Sequence, residues 1–216
     1  MMSLPNYEAF YFDLKMEQNS TYQTRMISLL EKSFDIVSKA QKFAYEKHRN
    51  QKRKDGVTPF LDHLEGVVNR LKNLGVSNED ILSAAWLHDT IENSDTTFDE
   101  INEIFGNTIS VLVLSLTKDS ELAKKERESQ YIQQLKDSTS DAKIIKFCDI
   151  SANLKDIANA PISKTQKNKQ VKKLFHYLRV IKKELSENRS HYPRMQELVD
   201  GINSVGTKFR QRPIII

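Results

Sequence analysis

The run Ile81-Leu-Ser-Ala-Ala-Trp-Leu-His88-Asp89 decides how this chain is read. Ile81, Ala84, Ala85 and His88 fall three and four residues apart, so they share one face of a helix. Ser77 is placed to cap that helix, which is expected over about Asn78 to Glu92, with Asp80 adding favourable charge in its first turn. A carboxylate at the end of an apolar run is costly to bury unless it is paired or bound to a metal. His88 and Asp89 are adjacent, and an imidazole and a carboxylate can ligate one divalent cation together.

Working outward, helical periodicity covers most of the chain. Apolar positions from Met26 to Phe43 predict a helix over Thr21 to about His48. The stretch RNQKRKDGVTP, Arg49 to Pro59, reads as a loop, basic first and turning at Asp55-Gly56. A helix is expected over Leu61 to Leu74, with Gly75 placed to stop it. Further helices are expected over Phe98–Phe105, Asn107–Lys118, Leu122–Leu135, Ala142–Ala158, Lys164–Glu187 and Tyr192–Val205. Asn93 to Thr97 and Ser138 to Asp141 are polar breaks between them. No run reads as paired strands, so the expected class is all-α. Residues 1–20 form an N-terminal extension whose order the sequence leaves open; residues 21–216 are read as one domain.

Bulk properties narrow the function classes. The 216 residues suffice for one ordinary domain, and only 6 Gly and 5 Pro favour helix. A net charge of +4, from 33 basic against 29 acidic residues, suits anionic ligands and is too small to demand nucleic acid. The single Cys148 excludes an internal disulfide framework and is expected as a small buried apolar residue. No apolar stretch reaches membrane-spanning length, and the N-terminus lacks a signal-peptide layout. The expected setting is cytoplasmic, with no nucleic-acid partner and no membrane.

Other chemistry-bearing residues fall in register with His88. His63 shares a helix face with Gly66, Val67, Leu71 and Leu74. Asp149 is embedded in the apolar segment Lys146-Phe-Cys-Asp149-Ile-Ser-Ala-Asn153. His63, His88, Asp89 and Asp149 are therefore the candidate metal ligands. Two imidazoles with two carboxylates suit Mn²⁺, Fe²⁺, Co²⁺ or Zn²⁺ and differ from a structural thiolate site. Glu92 lies four residues after His88 and is placed to orient or deprotonate a water. Asn153, one turn beyond Asp149, is placed to support the site or touch a ligand.

The order His63, His88-Asp89, Asp149 resembles the H…HD…D pattern of the HD-domain metal-dependent phosphohydrolases. Thr58-Pro-Phe-Leu-Asp-His63, Trp86-Leu-His-Asp-Thr-Ile-Glu-Asn-Ser-Asp-Thr-Thr97, Phe105-Gly106, Leu116-Thr117-Lys118 and Lys146-Phe-Cys-Asp-Ile-Ser-Ala-Asn-Leu154 resemble one branch. That branch is the hydrolase domain of RelA/SpoT-type alarmone enzymes, in its stand-alone small form. The resemblance covers roughly Ser33 to Lys155. It implies an HD-domain helical bundle around one Mn²⁺, hydrolysing guanosine 3′,5′-bis(diphosphate) to GDP and pyrophosphate. It also implies that Arg53 and Lys54 face the nucleotide and that Lys124 and Arg127 meet phosphates, and the chain has no length for a synthetase half.

Two positions depart from the branch. Leu64 replaces the proline usual after the first histidine, a local change. Where the branch has Glu-Asp, this chain has Glu92-Asn93, and both carboxylates are thought to act on the attacking water. Asn93 can hydrogen-bond a water but cannot take its proton. This leaves two alternatives beside the main reading. One is a phosphatase acting on another nucleotide, such as NADPH or a nucleoside phosphate. The other is a nucleotide-binding sensor with weakened catalysis. Blander roles compete residue by residue: His63, taken alone, as a satisfied core or surface histidine, Arg53, Lys54, Lys124 and Arg127 as solvated surface charges, Glu92 as a helix-end residue, and His48, His176 and His191 without evident partners. The basic helix from Lys164 reads as an amphipathic surface helix, with Val171, Leu174, Leu178 and Ile181 inward.

Overall fold

The computed structural model describes residues 36–216. The 1–20 extension, and the part of the first expected helix before residue 36, lie outside that range. Helix α1 is described over 36–48. It is followed by α2 (Leu61–Asn73), α3 (Glu79–Leu87), the single turn α4 (Thr90–Asn93), α5 (Phe98–Phe105), α6 (Asn107–Leu116) and α7 (Lys124–Asp137). Then come α8 (Ser140–Asn159), α9 (Lys164–Glu187), a 3₁₀ turn at Arg189–His191 and α10 (Met195–Lys208). Among the described residues the only extended pairing is an isolated bridge between Lys52 and Pro59. No described helix is long and apolar enough to cross a membrane.

Helix α8 is the axis of the bundle. It packs against α2, α3, α6, α9 and α10. Ile144, Ile145, Phe147, Cys148 and Ile150 on it are no more than 1% exposed, which requires partners on nearly every side. Thr139 caps it by accepting from Ala142 N, so the helix begins two residues earlier than expected and the polar break shrinks to Ser138-Thr139. α9 lays Val171, Phe175, Leu178 and Ile181 onto α8, as its periodicity anticipates, with Leu174 half-buried. Its N-terminus is closed by a capping box between Ser163 and Gln166. α10 approaches closely because Gly206 has no Cβ; one built there would lie 2.1 Å from Cζ of Phe175.

Local chemistry sets the helix ends around the site. α2 stops in a Schellman motif, with Gly75 at φ +92° and Val76 N donating to Leu71 O. Asn78, not Ser77, caps α3, accepting from Ile81 N. The basic loop folds back on itself through Arg53 N to Thr58 O and Phe60 N to Gln51 O. Asp55 accepts from the Val57 and Thr58 amides and the Thr58 hydroxyl, with Gly56 at φ +75° completing the turn.

Candidate metal centre

The expected single helix from Asn78 to Glu92 is in fact two pieces, and the break falls on His88-Asp89. His88 Nδ1 bonds Ala85 O at 2.8 Å, and the Thr90 hydroxyl donates to Leu87 O at 2.6 Å. Both side chains take up carbonyls at the end of α3, so the chain turns before α4 resumes. Asp89 falls in this break with φ −104° and ψ −2°, and its Oδ2 lies 3.5 Å from His88 Nε2.

There the side chains of α2, the α3–α4 turn and α8 meet. His63 Nε2 lies 3.2 Å from Asp149 Oδ1 and 3.8 Å from Asp89 Oδ2. His88 Nε2 lies 3.5 Å from Asp89 Oδ2 and 3.7 Å from Asp149 Oδ1. Donors around one ion at 2.0–2.2 Å stand roughly 3–3.6 Å apart in tetrahedral or octahedral arrangement, so this spacing suits a shared cation. His63, His88 and Asp149 are each about 4% exposed, while the Asp89 side chain keeps 22% exposure and forms the open edge.

Hydrogen bonding points the same way. His63 Nδ1, His63 Nε2 and His88 Nε2 are buried with no hydrogen-bond partner. A carbonyl only accepts, so His88 Nδ1 carries a proton facing Ala85, and Nε2 is the nitrogen that faces the carboxylates. Asp149 is oriented in turn: Lys146 Nζ donates to Oδ2 at 2.8 Å and Asn153 Nδ2 donates to Oδ1. Burial opposes the ionisation of Asp149, yet the Lys146 ammonium and the two imidazoles hold it well below the usual carboxylate range. Burial likewise opposes charge on His88, but Asp89 and Asp149 outweigh it and push the imidazole up to about 9. The cluster therefore favours a positive charge at its centre. The donor set and its unpartnered nitrogens fit a divalent transition metal.

The remaining sequence-predicted residues divide. Arg53 is drawn to the site: its guanidinium donates to Asn153 Oδ1 at 2.8 Å and to Asp156 Oδ2 at 2.7 and 3.0 Å, and lies over the Phe60 ring. Arg53, Lys54, Thr58, Asn153 and Asp156 line one cleft, and Lys54 Nζ donates to Gln170 Oε1 at 2.7 Å. Glu92 sits across from Lys118, accepting from its amide at 3.2 Å with the two charges 3.6 Å apart. Asn93 is exposed, and its carbonyl accepts from Gln51 Nε2 at 2.6 Å, tying the basic loop to the Glu92 turn. Lys124 is exposed, with no hydrogen bond or ion pair among the described residues. Arg127 turns away to bind the carbonyls of Ser120 and Leu122, holding the loop before α7.

Sequence reasoning missed Lys146, Lys118, Asp156 and the pair His48–Gln51, whose Nδ1 and Oε1 are 2.8 Å apart. Lys146 was within reach, since it lies one helical turn before Asp149. The others meet their partners only through long-range folding. Buried His48 stacks on Phe60, which in turn adjoins His63.

An all-helical bundle that gathers two imidazoles and two carboxylates, linked through Asn153 to a cleft lined by Arg53 and Lys54, defines a metal-dependent phosphohydrolase. The chain belongs to the HD-domain family, whose HD domain model matches residues 40–180. Among curated relatives, the guanosine-3′,5′-bis(diphosphate) 3′-pyrophosphohydrolase MESH1 of Danio rerio is 39% identical over 124 residues, 56% of this chain and 69% of that protein. Its Mus musculus counterpart is 42% identical over 120 residues, 55% of this chain and 67% of that protein. A solved structure described as a metazoan ortholog of SpoT that hydrolyzes ppGpp superposes with a TM-score of 0.67 at 26% identity, covering 80% of this chain and 94% of that one.

Proposed function

We propose that the protein hydrolyses guanosine 3′,5′-bis(diphosphate), or its pentaphosphate form, to GDP or GTP and pyrophosphate, using Mn²⁺ in a cytoplasmic setting. The observation that carries the reading is the convergence of His63, His88 and Asp149, whose ligand atoms lie within 4.8 Å of one another, with Asp89 Oδ2 3.5 and 3.8 Å from the two imidazoles. The MESH1 relatives supply the substrate. These four residues would hold the ion, which supplies Lewis acidity toward a phosphoryl oxygen and lowers the pKa of water.

The chain's own residues account for the rest. Glu92 takes the proton of the attacking water, and Asn93 contributes at most a hydrogen bond to it. The water oxygen bonds to the phosphorus on O3′ as the O3′–P bond breaks, and the leaving ribose oxygen takes the proton that Glu92 removed from the water. Arg53 and Lys54 bind the nucleotide, since a guanidinium beside an ammonium suits phosphate. For Arg53 to do so, substrate must compete with Asp156 and Asn153. Lys124, exposed, is open to a phosphate, whereas Arg127 would first have to release the carbonyls of Ser120 and Leu122. Incubating Mn²⁺-loaded protein with the tetraphosphate should yield GDP and pyrophosphate in equal amounts. Absence of turnover across several divalent metals rejects this substrate.

A further inference from the structure

Next to Asp149, three ammoniums surround two tyrosine rings. Lys118 Nζ lies 4.3 Å from the Tyr131 ring centroid and 5.8 Å from that of Tyr177. Lys146 Nζ lies 5.3 and 5.6 Å from the same two centroids, and Lys173 Nζ lies 5.5 Å from that of Tyr177. Lys146 is committed to Asp149 at 2.8 Å, and Lys173 to Glu128 at 2.6 Å. Lys118 is the least satisfied of the three. Its side chain is 18% exposed, and its ammonium approaches Glu92 only to 3.6 Å, beyond a hydrogen bond. Its ammonium has one carboxylate at ion-pair distance and two ring faces but no hydrogen-bond acceptor among the described residues, so it keeps donor capacity for a further negative charge. Tyr131 adds a second sign of a missing partner: it is 0% exposed, and its hydroxyl makes no hydrogen bond of ordinary geometry, although the Lys146 ammonium is beside it.

We infer that the partly exposed Lys118 ammonium, backed by the Tyr131 and Tyr177 rings, seats the terminal phosphate of the pyrophosphoryl group that is transferred to water. The inference rests on the proposed substrate and assigns the 3′ end a reader of its own. The basic loop grips the nucleotide, Lys118 meets the far phosphate, and Lys146 links the two by holding Asp149. A 3′-diphosphate reaches Lys118; a 3′-monophosphate stops short of it. During the step the O3′–P bond breaks and a bond to the water oxygen forms, while the phosphoanhydride between the two transferred phosphates stays intact. Lys118 donates hydrogen bonds to that outer phosphate and exchanges no proton with the reacting atoms.

The test compares guanosine 5′-diphosphate 3′-diphosphate with guanosine 5′-diphosphate 3′-monophosphate, using wild type, Lys118→Ala and Lys118→Arg. A charge-assisted hydrogen bond predicts that Lys118→Ala loses roughly 10- to 100-fold more in kcat/KM on the 3′-diphosphate than on the 3′-monophosphate, because any disturbance of Glu92, 3.6 Å away, falls on both. Lys118→Arg should retain most of the preference. In parallel, inorganic pyrophosphate is titrated calorimetrically into Mn²⁺-loaded protein, and Lys118→Ala should weaken its binding by a similar factor. Equal losses on both nucleotides with unchanged pyrophosphate affinity overturn the inference. If wild type hydrolyses neither nucleotide, the substrate reading fails on its own, and the pyrophosphate titration still decides for or against Lys118 as the seat.

Discussion

Replacing Lys146 with methionine removes an ammonium from the interior and keeps most of the side-chain volume. In the wild type its Nζ donates to Asp149 Oδ2 at 2.8 Å, and the two side chains are 8% and 5% exposed. The variant leaves Asp149 with Asn153 Nδ2 as its one good hydrogen bond. Breaking a buried ion pair from one side costs about 3–5 kcal/mol, because the remaining charge is uncompensated. At ~2–4 °C per kcal/mol for a chain of this size, the metal-free variant should melt roughly 6–20 °C below wild type. A divalent ion alters the balance, since it neutralises the same carboxylate from the Oδ1 side. With the competing ammonium gone, the ion should bind more tightly, so the metal-induced rise in midpoint is larger in Lys146→Met than in wild type. Differential scanning calorimetry with chelator and with excess Mn²⁺ reads both numbers. A metal-free midpoint within about 2 °C of wild type, or a metal-induced rise no larger than that of wild type, refutes the reasoning.

Three further outcomes are expected. Glu92→Gln should lower kcat by about 10²–10⁴-fold with little change in KM, while Asn93→Asp, which restores a second carboxylate, should raise kcat; steady-state kinetics separates the two effects. Arg53→Ala should raise KM, whereas Arg127→Ala, which frees only the carbonyls of Ser120 and Leu122, should lower the melting temperature and leave KM alone. Glu128 governs part of the acid limb of stability. Burial opposes its ionisation, but Lys173 and the Tyr177 hydroxyl hold its carboxyl below the usual 4.5, so its contribution is present above that value and is lost as pH falls through the lower folded value. Denaturant titrations between about pH 5 and 3 should therefore show wild type losing more stability than Glu128→Gln.

The helical class and most helix positions were legible because apolar periodicity is a local property, written in each segment by itself. Val171, Leu178 and Ile181 repeat on one face whatever they pack against. The ends were read less well where a side chain competes with the backbone. His88 and Thr90 end α3 by binding its carbonyls, which a count of apolar positions does not register. At the site, His88, Asp89 and Asp149 stood out because polar residues in apolar runs need a reason, and His63 joined them mainly through the H…HD…D order of the family. Lys124 and Arg127 were carried over by alignment alone, and Arg127 instead holds a loop. Lys118, from the α6–α7 loop, meets Tyr131 of α7 and Tyr177 of α9 only after the bundle closes, and such tertiary neighbours leave no local trace.

The central claim is that side chains from α2, the α3–α4 turn and α8 hold one divalent ion. Electron paramagnetic resonance of free Mn²⁺ during titration into chelator-stripped protein tests it directly. The account predicts one tight equivalent per chain in wild type, lost in His63→Ala and in Asp149→Ala while both variants keep their helical content. Undiminished Mn²⁺ binding in either folded variant would contradict it.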